Sequence, residues 1–274
     1  MTSCLATIII PTTGDRGSLL IHSIKSVQNQ TINDIEIFIV GDGVEGKTKN
    51  IIYDLISADS RISFFDYPKH ERRGEIYRHE VIQKANGRSI FYLCDRDLML
   101  PNHVVSLLEI LKRYNFVSST FINVKRDQTL TIDQYVNYFG SGKNLTPSQR
   151  MTGSLSCIAH TKEMYFALDY GWRTTPLDKY TDVYMWRQFL SHEKCLPFSS
   201  PMPTVLYFKR GDYPGDPIDV RAKELSSWSS RLSKPKGVPE IMWQAMAGLL
   251  IERRKLRVFY SATKKITSNS KSSH

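Results

Sequence analysis

Ser89-Ile90-Phe91-Tyr92-Leu93-Cys94-Asp95-Arg96-Asp97 is an apolar run of strand length that stops on two carboxylates one residue apart, with Pro101 close behind. A short apolar run bounded by turn residues reads as a strand buried on both faces, as in parallel sheets. Two other runs upstream end in the same way. Ala6-Thr7-Ile8-Ile9-Ile10 closes on Pro11-Thr12-Thr13, and Ile35-Glu36-Ile37-Phe38-Ile39-Val40 closes on Gly41-Asp42-Gly43. A further strand is expected over 61–65.

Between these runs the apolar spacing changes from continuous to helical. Leu20, Ile24 and Val27 follow Asp15, and Ile51, Ile52, Leu55 and Ile56 follow Lys47-Thr48. A third helix is predicted over 75–84, closed by Asn86-Gly87, whose glycine suits the left-handed conformation of a helix end. A fourth is predicted from Pro101, where the ring removes no helical hydrogen bond, with Val104, Val105, Leu108 and Leu111 on its buried face. Strands alternating with helices in this manner build βαβ units. The expected fold class is α/β, with a Rossmann-like, mostly parallel sheet flanked by helices and a C-terminal helical extension.

Beyond residue 113 the pattern predicts a strand over 116–124, a polar loop over 140–150 and a strand over 154–160. A helix is expected from Thr181, a suitable N-cap, carrying Val183, Trp186, Phe189 and Leu190. A strand follows over 204–209, with Pro201 and Pro203 breaking its surroundings, and a loop over 211–217 near whatever the sheet binds. From Pro239, residues such as Ile241, Ala245, Leu249, Leu256 and Phe259 outline an amphipathic helix. Its downstream part is basic: residues 252–274 hold seven Lys or Arg against one acid. The expected division is a main domain over 1–235, with halves 1–113 and 114–235, and a helix plus basic tail over 236–274.

The 274 residues can support one core with additions, and 41% hydrophobic with 23% charged residues excludes wholesale disorder. A net charge of +10 calls for acidic partners: nucleic acid, an anionic membrane surface or phosphorylated substrates. Met1-Thr2-Ser3-Cys4 lacks the pattern of a signal peptide. The tightest apolar stretch, Ala245 to Ile251, falls well short of the ~20 residues of a membrane span. Cys4, Cys94, Cys157 and Cys195 show no metal or disulfide spacing. A reduced, cytoplasmic protein is expected.

In an open parallel sheet, ligands bind where the carboxyl ends of the strands converge. Pro11, Thr12, Asp42, Asp95 and Asp97 all fall at such ends. Asp42 could accept hydrogen bonds from a base or ribose and Asp95 from a ribose hydroxyl, while Asp97 could ligate Mg2+ or Mn2+, hard cations that bridge phosphates. Each acid taken alone also reads as a turn former.

Ala6-Thr7-Ile8-Ile9-Ile10-Pro11-Thr12, Ser23-Ile24-Lys25-Ser26-Val27-Gln28-Asn29-Gln30-Thr31, Ile37 to Gly43, and Ala85 to Asp97 together resemble the family-2 glycosyltransferases of the GT-A fold. The similarity covers residues 5–113 well and 150–210 loosely. It implies a nucleotide-sugar donor, UDP-linked by default, bound by the first half, and a glycan or lipid-linked acceptor met by the second. Pro11 and Thr12 would border the base, Asp42 contact it, Asp95 the ribose and Asp97 the metal, Mn2+ or Mg2+; Arg78 resembles a position facing the donor. Two residues depart from the pattern: Gly41 stands where the family often has Asp, and Arg96 where it often has Asp or Ala.

The resemblance also implies a catalytic carboxylate near the acceptor. Asp182, opening a helix ahead of Trp186 and Arg187, is the expected base of an inverting transfer, with Asp178 as the competing candidate. Trp172, Tyr180 and Trp186 could stack on a sugar but equally belong in a core. An interfacial helix with a basic tail suits a peripheral position at the inner, anionic membrane face. A basic nucleic-acid-binding protein and a catalytically silent binding subunit are the alternative readings.

Overall fold

A computed structural model describes residues 4–132, 154–212 and 215–271. The expected loop over 140–150 lies outside them.

The strands are β1 (Ala6–Gly14), β2 (Ile35–Val44), β3 (Ile62–Tyr67), β4 (Ser89–Tyr92), β5 (Leu98–Met99), β6 (Phe116–Val124), β7 (Leu130–Ile132), β8 (Ile158–Thr161) and β9 (Pro197–Tyr207). They form one sheet ordered β3-β2-β1-β4-β8-β6-β9-β5, with β7 added on β6. β3, β2, β1 and β4 are parallel, as are β6 and β9, while β8, β5 and β7 pair antiparallel. The helices are α1 (Gly17–Gln28), α2 (Gly46–Ala58), α3 (Glu75–Lys84), α4 (His103–Leu111), α5 (Lys162–Phe166), α6 (Thr181–Ser191), α7 (Ile218–Leu232) and α8 (Gly237–Lys271).

The period of two along each strand distributes the core. Ile8 and Ile10 join Ile37, Ile39 and Phe91 under α1, α2 and α4, where Leu20, Ile24, Ile52, Val104 and Leu107 meet them. Ile9, Phe38, Val40, Ile90 and Tyr92 point to the other face, against Val81 and Ile82 of α3 and Met185, Trp186 and Phe189 of α6. A third cluster, around Leu98, Ile122, Leu206 and Phe208, is closed by Leu225 and Trp228 of α7 and by Ile241 and Ala245 of α8. The first turns of α8 therefore belong to the main core.

Several local readings change. α4 begins at His103, and Leu107 is buried on it while Val105 is 41% exposed. Gly87 is not in the left-handed region; it lets the chain touch β1, since a Cβ there would sit 2.4 Å from the Thr7 nitrogen. The run after residue 153 opens with a 3-10 turn, Leu155–Cys157, so β8 starts only at Ile158. Pro201 and Pro203 lie inside β9, where the β6 pairing shifts register between Ser118 and Thr120 and relieves the demand for ladder donors. Thr181 does not cap α6: its buried hydroxyl donates to Glu75 Oε1 at 3.2 Å and ties α6 to the start of α3.

Candidate active site

β1 lies between β2 and β4, so its carboxyl end is the middle of the site. Thr12 and Thr13 project from it to opposite neighbours. Thr12 Oγ1 donates to Asp95 Oδ2 at 2.8 Å, while Thr13 Oγ1 donates to the main-chain oxygen of Asp42 at 2.6 Å. Pro11 pairs in register with Val40, and Thr12 with Gly41. Four of the expected donor residues, Pro11, Thr12, Asp42 and Asp95, thus gather on three adjacent strand ends.

Asp42 is engaged on the β3 side. Lys69 Nζ donates to its Oδ2 at 2.5 Å and the His70 main-chain N–H to its Oδ1 at 2.6 Å, which folds the segment between β3 and α3 over the strand ends. Gly41 has a packing reason: a Cβ there would come within 2.8 Å of Val44 and 2.9 Å of Phe64. An aspartate at that position would collide with the aromatic ring that has taken the space.

Asp95 is 3% exposed and, besides Thr12, meets Arg16 Nε at 3.0 Å. Asp97 is fully buried. Its Oδ2 accepts from Ser156 Oγ at 2.6 Å and its Oδ1 from the Phe208 main-chain N–H at 3.0 Å. Burial raises its carboxyl above the usual range, against the opposing pull of Arg96 and these two donors. Asp97 therefore ties β4 to the Ser156 turn and to the end of β9.

That placement bears on the expected Mn2+ or Mg2+ ion. A hard cation needs carboxylate oxygens presented to the diphosphate. Here Asp97 offers no open surface, and Asp95 is covered by Arg16 and Thr12. Among the described residues, no three His, Cys, Asp or Glu side chains gather as a cation site. The donor set in this arrangement does not fit the ion, and the surrounding charge is guanidinium.

Arg78 is 5% exposed, with its guanidinium 4.6 Å from the Trp172 ring centroid and Nη2 donating to the Arg73 oxygen at 3.3 Å. It fills the space under α3. Trp172 and Trp186 are core residues at 2% and 0% exposure, and Trp172 Nε1 donates to Tyr92 Oη at 2.9 Å, whereas Tyr180 is 83% exposed.

Asp182 stands in the first turn of α6. Its charge reaches Cys94, where it helps push the thiol up to about 12, behind the larger effects of burial and Asp97. Asp178, by contrast, has a 68% exposed side chain and pairs with Lys179 at 2.6 Å, so it lies outside the enclosed site.

The sequence reading missed Ser156, Arg16, Asp212 and Arg221. Asp212, in the loop expected near the ligand, meets Arg96 Nε at 3.0 Å, Arg221 Nη2 at 2.7 Å and Arg16 Nη2 at 4.0 Å. Nothing in the local spacing of α7 singles out Arg221. A groove of about 860 Å³, lined by Leu5, Asn86, Lys112 and Phe166 among others, opens near the opposite, amino-terminal edge of the sheet, away from these charges.

Comparison with known proteins gives the family and the fold. Over 102 residues the chain is 29% identical to a GalNAc(5)-diNAcBac-PP-undecaprenol beta-1,3-glucosyltransferase of Campylobacter jejuni subsp. jejuni serotype O:2, covering 37% of this chain and 33% of that one. It is 31% identical over 112 residues to an uncharacterized glycosyltransferase of Rickettsia bellii, covering 41% and 16% respectively. The chain thus spans a third or less of the length of these curated relatives.

Among solved structures, S. aureus TarS 1-349 in complex with UDP-GlcNAc superposes with TM-score 0.61 at 12% identity, over 89% of this chain and 73% of that one. The mannosyltransferase PcManGT from Pyrobaculum calidifontis, solved with GDP-Man and Mn2+, gives 0.54 at 15% identity over 97% and 81%. These likenesses show the GT-A fold. Residues 7–167, more than half of the chain, match the glycosyl transferase family 2 profile, and the chain belongs to that family.

Proposed function

We propose that this protein transfers a sugar from a nucleoside-diphosphate donor, UDP-linked by preference, to a hydroxyl of a glycan or lipid-linked acceptor, with inversion. The observation that carries the reading is the meeting of Thr12, Asp42 and Asp95 on adjacent strand ends. Asp42 would read the base and Asp95 the ribose. Donors with UDP and an acceptor on undecaprenol diphosphate in the named relatives support the substrate class.

Asp182 would take the proton of the attacking hydroxyl as it closes on the anomeric carbon from the face opposite the departing diphosphate. It stands in the first turn of α6, ahead of Trp186 and Arg187. The Asp178 alternative is disfavoured by its exposure and its Lys179 partner. A Mn2+ or Mg2+ ion could join only after Arg16 left Asp95 or Asp97 turned out of its two hydrogen bonds.

α8 supports a membrane position. Opposite its packed residues Ile241 and Ala245 it presents Trp243 at 72%, Met246 at 50%, Leu250 at 66% and Ile251 at 55% exposure, followed by Arg253, Arg254, Lys255 and Arg257. An apolar stripe running into a basic one suits an anionic leaflet. Among the described residues no helix is long and apolar enough to cross a membrane.

The test is a thermal-shift panel of nucleoside diphosphates, with and without Mn2+, followed by transfer assays. One base should raise the melting temperature by mass action. Asp182→Asn should keep that response and lose roughly 10²–10⁴-fold in transfer rate. A panel without any stabilising nucleotide would overturn the reading, and normal transfer by Asp182→Asn would reject the base.

A further inference from the structure

Arg16 at the entry to α1, Arg96 in the turn after β4 and Arg221 on α7 come from distant parts of the chain and surround one carboxylate, Asp212. Their side chains are 20%, 16% and 8% exposed, against 28% for Asp212, which is the least buried of the four. The contacts are close in charge but poor in direction. Among the described residues, Arg16 Nε and Nη2, Arg96 Nε and Arg221 Nη2 are buried and make no aligned hydrogen bond, although each lies within ion-pair distance of a carboxylate.

Buried donors are ordinarily satisfied, and a cluster that is not satisfied calls for a missing acceptor. A carboxylate has only two oxygens for three planar donor forks. A diphosphate supplies more oxygens and more negative charge, the chemistry that guanidinium groups match best. The charges also set the balance. Arg16, Arg96 and Arg221 oppose Asp95, Asp97 and Asp212, so withdrawal of Asp212 leaves an excess cation beside Asp95. Burial, and then the neighbouring Arg16 and Arg96, push the Arg221 guanidinium below its usual value despite Asp212, as expected of cations crowded to receive an anion.

We propose that Arg16, Arg96 and Arg221 form the seat of the donor's diphosphate without a divalent ion, and that Asp212 is a built-in occupant displaced when the diphosphate enters. This rests on the nucleotide-sugar reading and extends it. The arginines then supply the charge that stabilises the leaving diphosphate, and Arg96 is a functional replacement for an acidic residue. Asp97, holding Ser156 and Phe208, braces the turn that carries Arg96.

The experiment is calorimetric titration of the full chain with inorganic pyrophosphate, and separately with UDP, in EDTA and then in Mn2+. Pyrophosphate should bind in EDTA, Arg96→Gln and Arg221→Gln should each weaken it, and Asp212→Asn should tighten it, by about tenfold in each case. Circular dichroism checks that each variant is folded. A crystal of the unmodified chain grown with pyrophosphate in EDTA should show it on the three guanidinium groups with Asp212 turned away, whatever the variants do.

Pyrophosphate binding only with Mn2+, or unchanged affinity in folded Asp212→Asn, overturns the proposal. The two readings fail separately. If UDP binds only with the metal, the nucleotide-sugar reading stands and the arginine seat falls. If pyrophosphate binds as expected but no nucleotide improves on it, the seat stands and the nucleotide-sugar reading falls.

Discussion

Mild acid should weaken the fold through His103, and the size of the effect can be worked out. His103 is the first residue of α4 and is fully buried; its Nδ1 lies 2.7 Å from Thr204 Oγ1, and the Phe91 ring stands edge-on to it at 5.9 Å. Among the described residues, its Nε2 has no hydrogen-bond partner. A charged imidazole would be desolvated there and would also face the positive end of the helix dipole. Burial pushes the ring from the ordinary 6.5 down to about 3.

Because the folded value is depressed, the unfolded chain binds the proton first, and stability falls as pH drops below 6.5 until it reaches about 3. At about 1.4 kcal/mol per pH unit, the roughly 1.5 units between 6.5 and pH 5 remove about 2 kcal/mol. Urea unfolding at pH 7 and pH 5 would measure this, with His103→Gln as the comparison. The variant should lose about 2 kcal/mol less than the parent over the same interval, whatever its starting stability. Equal losses would refute the assignment of a neutral, buried ring. His160, pushed down to about 4 by burial, adds a parallel loss in both proteins.

Other expectations follow from single contacts. Ser156→Ala removes the donor to Asp97 and the acceptor of the Cys94 N–H, and should cost about 1–3 kcal/mol as a lower urea midpoint with unchanged slope. Gly87→Ala, with its Cβ 2.4 Å from the Thr7 nitrogen, should cost about 1–3 kcal/mol or more, whereas Gly46→Ala, with nothing within 4 Å, should be neutral or slightly stabilising in the same melts. Replacing Trp243 and Leu250 together by Gln should leave the melting temperature within a degree or two, as both are exposed, yet abolish sedimentation with anionic vesicles. Unchanged sedimentation would remove the membrane position.

The first half of the chain was legible because β1, β2 and β4 are buried on both faces and α1, α2 and α4 on one. Continuous and helical apolar spacing therefore separate cleanly from Ala6 to Leu111. The strand ends carrying Thr12, Asp42 and Asp95 followed directly. The second half hid its order because β8 is short and antiparallel, and β9 is written partly in proline. The direction of Asp97 was invisible, since Ser156 and Phe208, which claim its oxygens, lie 59 and 111 residues away. Arg221 was hidden because on α7 it reads as one more surface cation, and only the fold turns it onto Asp212 beside Arg16 and Arg96.

The paired threonines at the tip of β1 anchor the two flanks of the candidate site separately. One hydroxyl steadies the strand that carries Asp42, the other fixes the carboxylate of Asp95, and neither bond passes through its counterpart. If Asp42 reads the base as proposed, tuning for a different nucleobase would proceed through the segment pinned by Lys69 and His70 while the opposite flank keeps its shape. Under the proposed function, drift in specificity and preservation of chemistry would thereby be uncoupled by one peptide unit.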